Sequence, residues 1–201
     1  MRRLGILGGT FDPPHIGHLV LGEYAAEALD FEKVLFVPAA DPPHKTDVRK
    51  SPVEHRLAML QIALADNPRF AISQVDIDRP GPHYSLDTVK IIQQQNPDAE
   101  LYFVMGGDSL RDLPTWYAPE KLIEHCRLAV MERPGVNAYP AMHEAILPDL
   151  AARVTMIDAP VLEIASSEIV PRLQQGRSAR YLVPDGVLRY IHEHGLYRKQ
   201  R

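Results

Sequence analysis

Residues 4–7, Leu-Gly-Ile-Leu, run into Gly8-Gly9-Thr10, after which Ile16, Val20, Tyr24 and Ala28 recur at intervals of four. A short apolar run closed by glycines reads as a buried strand, and apolar recurrence at i, i+4 reads as a helix over 16–29. A strand that passes into a helix through paired glycines is the opening half of a βαβ unit, and the chain repeats the pattern. Residues 33–38 form a second strand. A helix over 52–65 follows, with Ser51 as N-cap and Pro52 in its first position. Then come a strand over 70–78, a helix over 85–95, a strand over 100–105, a helix over 118–125 and a strand over 128–131. Such alternation predicts an α/β fold, a Rossmann-like doubly wound parallel sheet with ligands beyond the carboxyl ends of its strands, at a switch in strand order. Pro184 opens a last helix that Gly195 closes, adding a small C-terminal helical part.

At 201 residues the chain suits one domain over 1–201. Two irregular stretches interrupt the alternation. Residues 39–50, rich in Pro, Asp and basic side chains, read as an active-site loop, and 133–140 as a surface connection. There is no internal repeat. A net charge of −4 with mixed composition argues against a general nucleic-acid binder or a membrane-surface protein, and no stretch approaches the roughly 20 apolar residues of a membrane helix. The single cysteine, Cys126, excludes an internal disulfide, so the reading is cytoplasmic. Cys126 opens an apolar strand pattern with no base beside it and reads as an inert core thiol. His192 and His194, two apart on a helix, point to different faces; with no H-E-x-x-H pattern, no protein metal site is expected. A homo-oligomer is compatible with the sequence, which does not decide the point.

The chemistry concentrates in residues 8–19, Gly-Gly-Thr-Phe-Asp-Pro-Pro-His-Ile-Gly-His-Leu. Glycines at a strand-to-helix turn let the backbone approach phosphate, and the helix N-terminus offers unpaired N–H groups and partial positive charge. No Gly-Lys-Ser/Thr follows, and Thr10, Phe11 and Asp12 stand where G-x-G-x-x-G would need glycine. Instead His15 and His18 bracket Gly17, two imidazoles able to donate to phosphate oxygens as charge moves onto a leaving group. Thr10 offers a hydroxyl and an N–H to the same anion.

The segment resembles the H-x-G-H signature of the nucleotidyltransferase superfamily, and later segments resemble, in order, those of bacterial nicotinate-mononucleotide adenylyltransferases. These are Pro42-Pro-His-Lys45, Arg79-Pro-Gly-Pro-His-Tyr-Ser-Leu-Asp-Thr88, Gly106-Gly-Asp-Ser-Leu110 with Pro114-Thr-Trp-Tyr117, and Ile164-Ala-Ser-Ser-Glu-Ile-Val-Pro-Arg172. The resemblance implies transfer of AMP from ATP to nicotinate mononucleotide, releasing pyrophosphate, with ATP as co-substrate and Mg²⁺ held mainly by substrate phosphates. It implies catalytic roles for His15, His18, Thr10 and Lys45. It places ATP on Gly8, Gly9, Thr10, Phe11, His15, Gly17, His18, Gly106, Asp108, Ser166, Ser167 and Arg172. The nicotinate nucleotide falls to His44, Lys45, Tyr84, Ser85, Trp116 and Tyr117.

One departure stands out. Val170 occupies the place of the motif's arginine, and Arg172, two positions on, is rotated by about 200° on a helix. Phosphopantetheine adenylyltransferase, which shares the first motif, is the nearest rival. A sensor that kept the fold and lost catalysis is the rival from a different class.

Overall fold

A computed structural model of the protein describes residues 1–40, 50–132, 135–160 and 162–198. Among these the sheet has six strands: β1 (Arg2–Gly9), β2 (Lys33–Pro38), β3 (Phe70–Ile72), β4 (Ala99–Gly106), β5 (Arg127–Met131) and β6 (Val154–Ile157). They are parallel and ordered β3-β2-β1-β4-β5-β6. Strand order therefore reverses between β1 and β4, which lie side by side, Leu4 opposite Leu101 and Ile6 opposite Phe103. A crevice outside their carboxyl ends is where such a sheet binds ligands.

The helices are α1 (Ile16–Leu29), α2 (Val53–Leu64), α3 (Ser85–Gln95), α4 (Gly107–Asp112), α5 (Pro119–His125), α6 (Leu150–Arg153), α7 (Ser166–Gln174) and α8 (Asp185–Glu193). Alternate strand residues feed two cores. Leu4, Ile6, Leu101, Phe103, Met105, Leu128 and Val130 pack with Val89 and Ile92 of α3 and Leu122 of α5. Leu7, Val34, Phe36, Tyr102, Val104 and Ala129 pack on the other face with Ala25 and Ala26 of α1 and Leu60 of α2. The period of two along each strand thus sends successive side chains to opposite layers. A third cluster joins Met59 of α2 to Ile169, Val187 and Ile191 of α7 and α8, attaching the C-terminal helical part to the sheet layer.

Several expectations need correction. The strand expected over 70–78 ends at Ile72, because the N–H groups of Ile77 and Asp78 fold back onto the Gln74 carbonyl at 2.8 and 2.9 Å. Pro52 precedes α2 rather than opening it, with ψ of 144°, so Pro52 and not Ser51 stands at the N-cap. Helix α5 begins at Pro119, one residue after Ala118. Residues 107–112 are helical, and α6 with β6 was not foreseen. The 133–140 stretch is not simply a surface connection: Ala138 is buried, and a Cβ on Gly107 would lie 2.9 Å from the Ala138 methyl carbon. Only glycine at 107 lets that backbone approach. No helix among the described residues is long and apolar enough to cross a membrane.

Candidate active site

A cavity of about 370 Å³ opens at the carboxyl ends of β1, β2 and β4. Gly8, Gly9 and Thr10 form one wall; Gly106 and Asp108 a second; Tyr84, Ser85, Trp116 and Tyr117 a third. Each wall follows from local sequence. Gly106 caps α4, which places Asp108 in its first turn, so Asp108 faces the cavity and does not serve as the cap. Tyr84 caps α3, which starts at Ser85. Trp116 follows the 3₁₀ turn Leu113–Thr115 and sets its indole edge against Phe103, centroids 5.7 Å apart and planes at 78°, so the indole belongs both to the core's rim and to the cavity. Tyr84 and Tyr117 stack at 4.2 Å with planes at 19°.

The loop leaving β1 is shaped by a buried anchor. Phe11 is 1 % exposed and holds a left-handed backbone with φ of 50°, which costs a non-glycine residue about 1–2 kcal/mol. Burial of the ring against Phe36 offsets that strain. The ring therefore belongs to the core, so Phe11 offers an ATP ligand only its backbone. A Cβ at Gly9 would meet that ring at 2.9 Å, and the ring, fixed in the core, cannot give way.

His15 is the residue before α1 and is buried; His18 lies in the first turn, their rings stacked at 3.6 Å. The backbone N–H of His15 donates to His18 Nδ1 at 3.2 Å. An accepting Nδ1 leaves the proton of a neutral imidazole on Nε2, so His18 presents one defined donor. The Phe11 ring also packs against His18, centroids 4.9 Å apart and planes at 68°. At the start of α7 the Ser166 hydroxyl donates to the Pro13 carbonyl at 3.0 Å, and Ser167 is exposed beside it. The structure thus brings the Gly8–Thr10 turn together with Tyr84, Ser85, Trp116 and Tyr117 at one cavity, while the histidines and the start of α7 lie against the same loop further along the chain.

Arg172 joins neither group. It is exposed in the last turn of α7 and donates to the Ser178 carbonyl from Nε at 3.2 Å and Nη2 at 3.0 Å, tying the helix to the turn that follows. His44 and Lys45 lie outside the described residues, as does most of the expected 39–50 loop.

Three residues escaped the sequence reading. Arg56 of α2 is 2 % exposed and donates to four backbone carbonyls: Thr10 at 2.9 Å, Ala39 at 2.8 Å, Ala40 at 3.3 Å and Ser51 at 3.2 Å. The signal was a charged residue on the apolar stripe of a helix, in step with Met59, Leu60 and Leu64, where lone charges are rarely left without partners. Asp76 is buried, lines the cavity, and accepts from Thr88 Oγ1 at 2.7 Å and Arg79 Nη2 at 2.9 Å. Arg79 also donates to the Pro82 and Tyr84 carbonyls and so sets the entry to α3. Asp12 accepts the Ser51 N–H at 2.8 Å and the Tyr197 hydroxyl.

A parallel sheet of this order, a glycine turn and paired histidines at its switch point define a nucleotidyltransferase of the cytidylyltransferase-like class, and the model of the family described as "Cytidylyltransferase-like" matches residues 6–172. A Thermomicrobium roseum relative named "Probable nicotinate-nucleotide adenylyltransferase" is 49% identical over 98% of this chain and 92% of its own. One from Thermus thermophilus with the same name is 45% identical over 98% of this chain and all of its own. Among solved structures, the Plasmodium falciparum nicotinic acid mononucleotide adenylyltransferase complexed with NaAD matches with a TM-score of 0.79 at 21% identity, covering 98% of each chain, and shares the fold. The chain belongs to the nicotinate-nucleotide adenylyltransferase family, enzymes that transfer AMP from ATP to nicotinate mononucleotide in NAD biosynthesis.

Proposed function

We propose that in this chain the transfer takes place in the cavity at the β1–β4 switch point, with ATP phosphates on the Gly8–His18 loop and the pyridine ring of nicotinate mononucleotide against the wall of Trp116 and the stacked Tyr84 and Tyr117. The observation that supports this most is the cavity's composition, a glycine-lined phosphate turn facing an aromatic wall across one crevice. Asp108 is placed for a ribose hydroxyl, and Ser167 with the backbone N–H groups at the start of α7 for phosphate, the Ser166 hydroxyl being committed to the Pro13 carbonyl.

The acceptor is a phosphate monoester with a second pKa near 6, so its attacking oxygen is largely ionised at neutral pH and no general base is needed. The chain's task is to align that oxygen with the α-phosphorus and to neutralise the departing pyrophosphate. His18, through Nε2–H, together with His15 and Thr10, supplies donors whose bonds strengthen as negative charge gathers on the leaving group. Lys45 is assigned to the same task from its motif.

Among the described residues no three His, Cys, Asp or Glu side chains are grouped to hold a metal ion, and Asp76 is committed to Arg79 and Thr88. This donor set fits Mg²⁺ coordinated chiefly by phosphate oxygens and water, where the ion would supply charge neutralisation. The lone cysteine is buried, in no disulfide and donates its thiol to the Leu122 carbonyl, as suits a reducing compartment, and we assign the enzyme to the cytoplasm.

The deciding experiment is pyrophosphate release from ATP and Mg²⁺ with nicotinate and nicotinamide mononucleotides side by side. Turnover with the acid and little with the amide is the expected result. Equal rates would remove the preference for the acid, and silence with both would overturn the assignment.

A further inference from the structure

Three contacts from three separate places beyond residue 164 converge on five consecutive residues of the loop. Ser166, opening α7, donates to the Pro13 carbonyl at 3.0 Å. The Leu182 carbonyl, before α8, accepts the Ile16 N–H at 2.9 Å. Tyr197, after α8, donates its hydroxyl to Asp12 Oδ1. The cytidylyltransferase-like match ends at residue 172, so Leu182 and Tyr197 lie beyond that broader class's shared part, within the stretch matched by the whole-chain relatives.

The segment they hold connects Thr10 to His15, the two ends of the proposed phosphate grip. Asp12 is its hinge. One carboxylate oxygen takes the Tyr197 hydroxyl and the other takes the Ser51 N–H at 2.8 Å, while Arg56 grips Thr10 and Ser51 by their carbonyls. The chain turns sharply to deliver Tyr197. Gly195 and Tyr197 have φ of 61° and 58°, and the Leu196 N–H returns to the Ile191 carbonyl at 3.0 Å. A tyrosine held in the left-handed region is one whose surroundings over-determine it. Burial, with the Asp12 carboxylate next, raises the hydroxyl's pKa above its ordinary value, so it donates throughout the neutral range.

We infer that Tyr197 is a positioning residue for the transfer reaction: through Asp12 it fixes the segment between Thr10 and His15, and hence the alignment of the phosphate donors. This rests on the assignment of the Gly8–His18 loop to ATP phosphates. Misplacement of a catalytic constellation by about 1 Å costs up to about 100-fold in rate, so a loosened hinge lowers kcat while substrates still bind.

The test is steady-state kinetics of the full chain with ATP, Mg²⁺ and nicotinate mononucleotide, for wild type, Tyr197→Phe, Asp12→Asn and the double variant, with thermal melts confirming that each is folded. Tyr197→Phe is expected to lower kcat about tenfold with both KM values within about twofold, and the double variant to be no slower than the slower single, since residues acting as a unit are non-additive. A folded Tyr197→Phe with wild-type kcat, or losses that multiply in the double variant, overturns the inference. If Tyr197→Phe does not fold, Asp12→Ala is measured in its place, and wild-type kcat in that folded variant overturns it equally. Inactive wild type with either mononucleotide would instead overturn the assignment of the site.

Discussion

His18 owes its usefulness to a bond made by its other nitrogen. With Nδ1 accepting the His15 N–H, the ring cannot rotate or change tautomer without giving up that bond, so the proton of the neutral ring stays on Nε2. A donor that matters chiefly as pyrophosphate leaves acts on turnover. His18→Ala is therefore expected to lower kcat by about 100-fold or more while changing nucleotide affinity little, measured by rapid-quench turnover and equilibrium nucleotide binding. Trp116, on the cavity wall, is expected to act on binding. If its exposed face meets the pyridinium, Trp116→Ala raises KM for nicotinate mononucleotide by about 2- to 30-fold, corresponding to about 0.5–2 kcal/mol, and leaves KM for ATP unchanged. Both residues could be named from the sequence because they sit in contiguous motifs. Arg56 and Asp76 were not, since what they do is decided by carbonyls and side chains brought near by folding, and a single arginine inside a helical pattern gives no hint of which loops will meet it.

Among elements, period and length decided what could be read. The long strands, with their alternating residues sent to two cores, and helices α1 and α3 were legible to within a residue or so. The three-residue β3 was not, because the apolar spacing of 70–78 continues past the point where the Gln74 carbonyl turns the chain. The four-residue pair α6 and β6 was too short for any period. Their start depends on a carboxylate: Glu144 accepts the Asp149 N–H at 2.9 Å and the Ala151 N–H at 2.8 Å. Replacing such a cap costs about 1 kcal/mol, so Glu144→Ala is expected to lower Tm by about 2–4 °C, read by calorimetry, with kcat unchanged because α6 lies away from the cavity.

For the molecule as a whole, two buried acids set its alkaline limit. Burial pushes the Cys126 thiol from an ordinary 9.0 up to about 12, and the Tyr197 hydroxyl rises above its ordinary 10.0 for the same reason. Both are neutral when folded and ionise more readily when unfolded. The Cys126 contribution is therefore complete below about pH 9 and is lost as pH climbs from 9 toward 12, and the Tyr197 contribution begins to be lost above its ordinary 10.0, each at up to about 1.4 kcal/mol per pH unit. Melting curves between pH 8 and 10.5 should fall on the alkaline side, and Cys126→Ala should flatten the onset near pH 9 once its own cavity cost is subtracted.

The contacts on residues 12–16 also order events in time. Asp12 and Tyr197 are 185 residues apart, so at about 5–20 residues per second the ribosome delivers the clamp about 10 to 40 s after the loop it holds. In that interval β1, β2 and β3 are already made, and the phosphate turn exists as sequence without the partners that set its shape. Competence to bind and transfer is therefore a late property of the nascent chain, conferred when the last-made contacts reach back to the first-made loop.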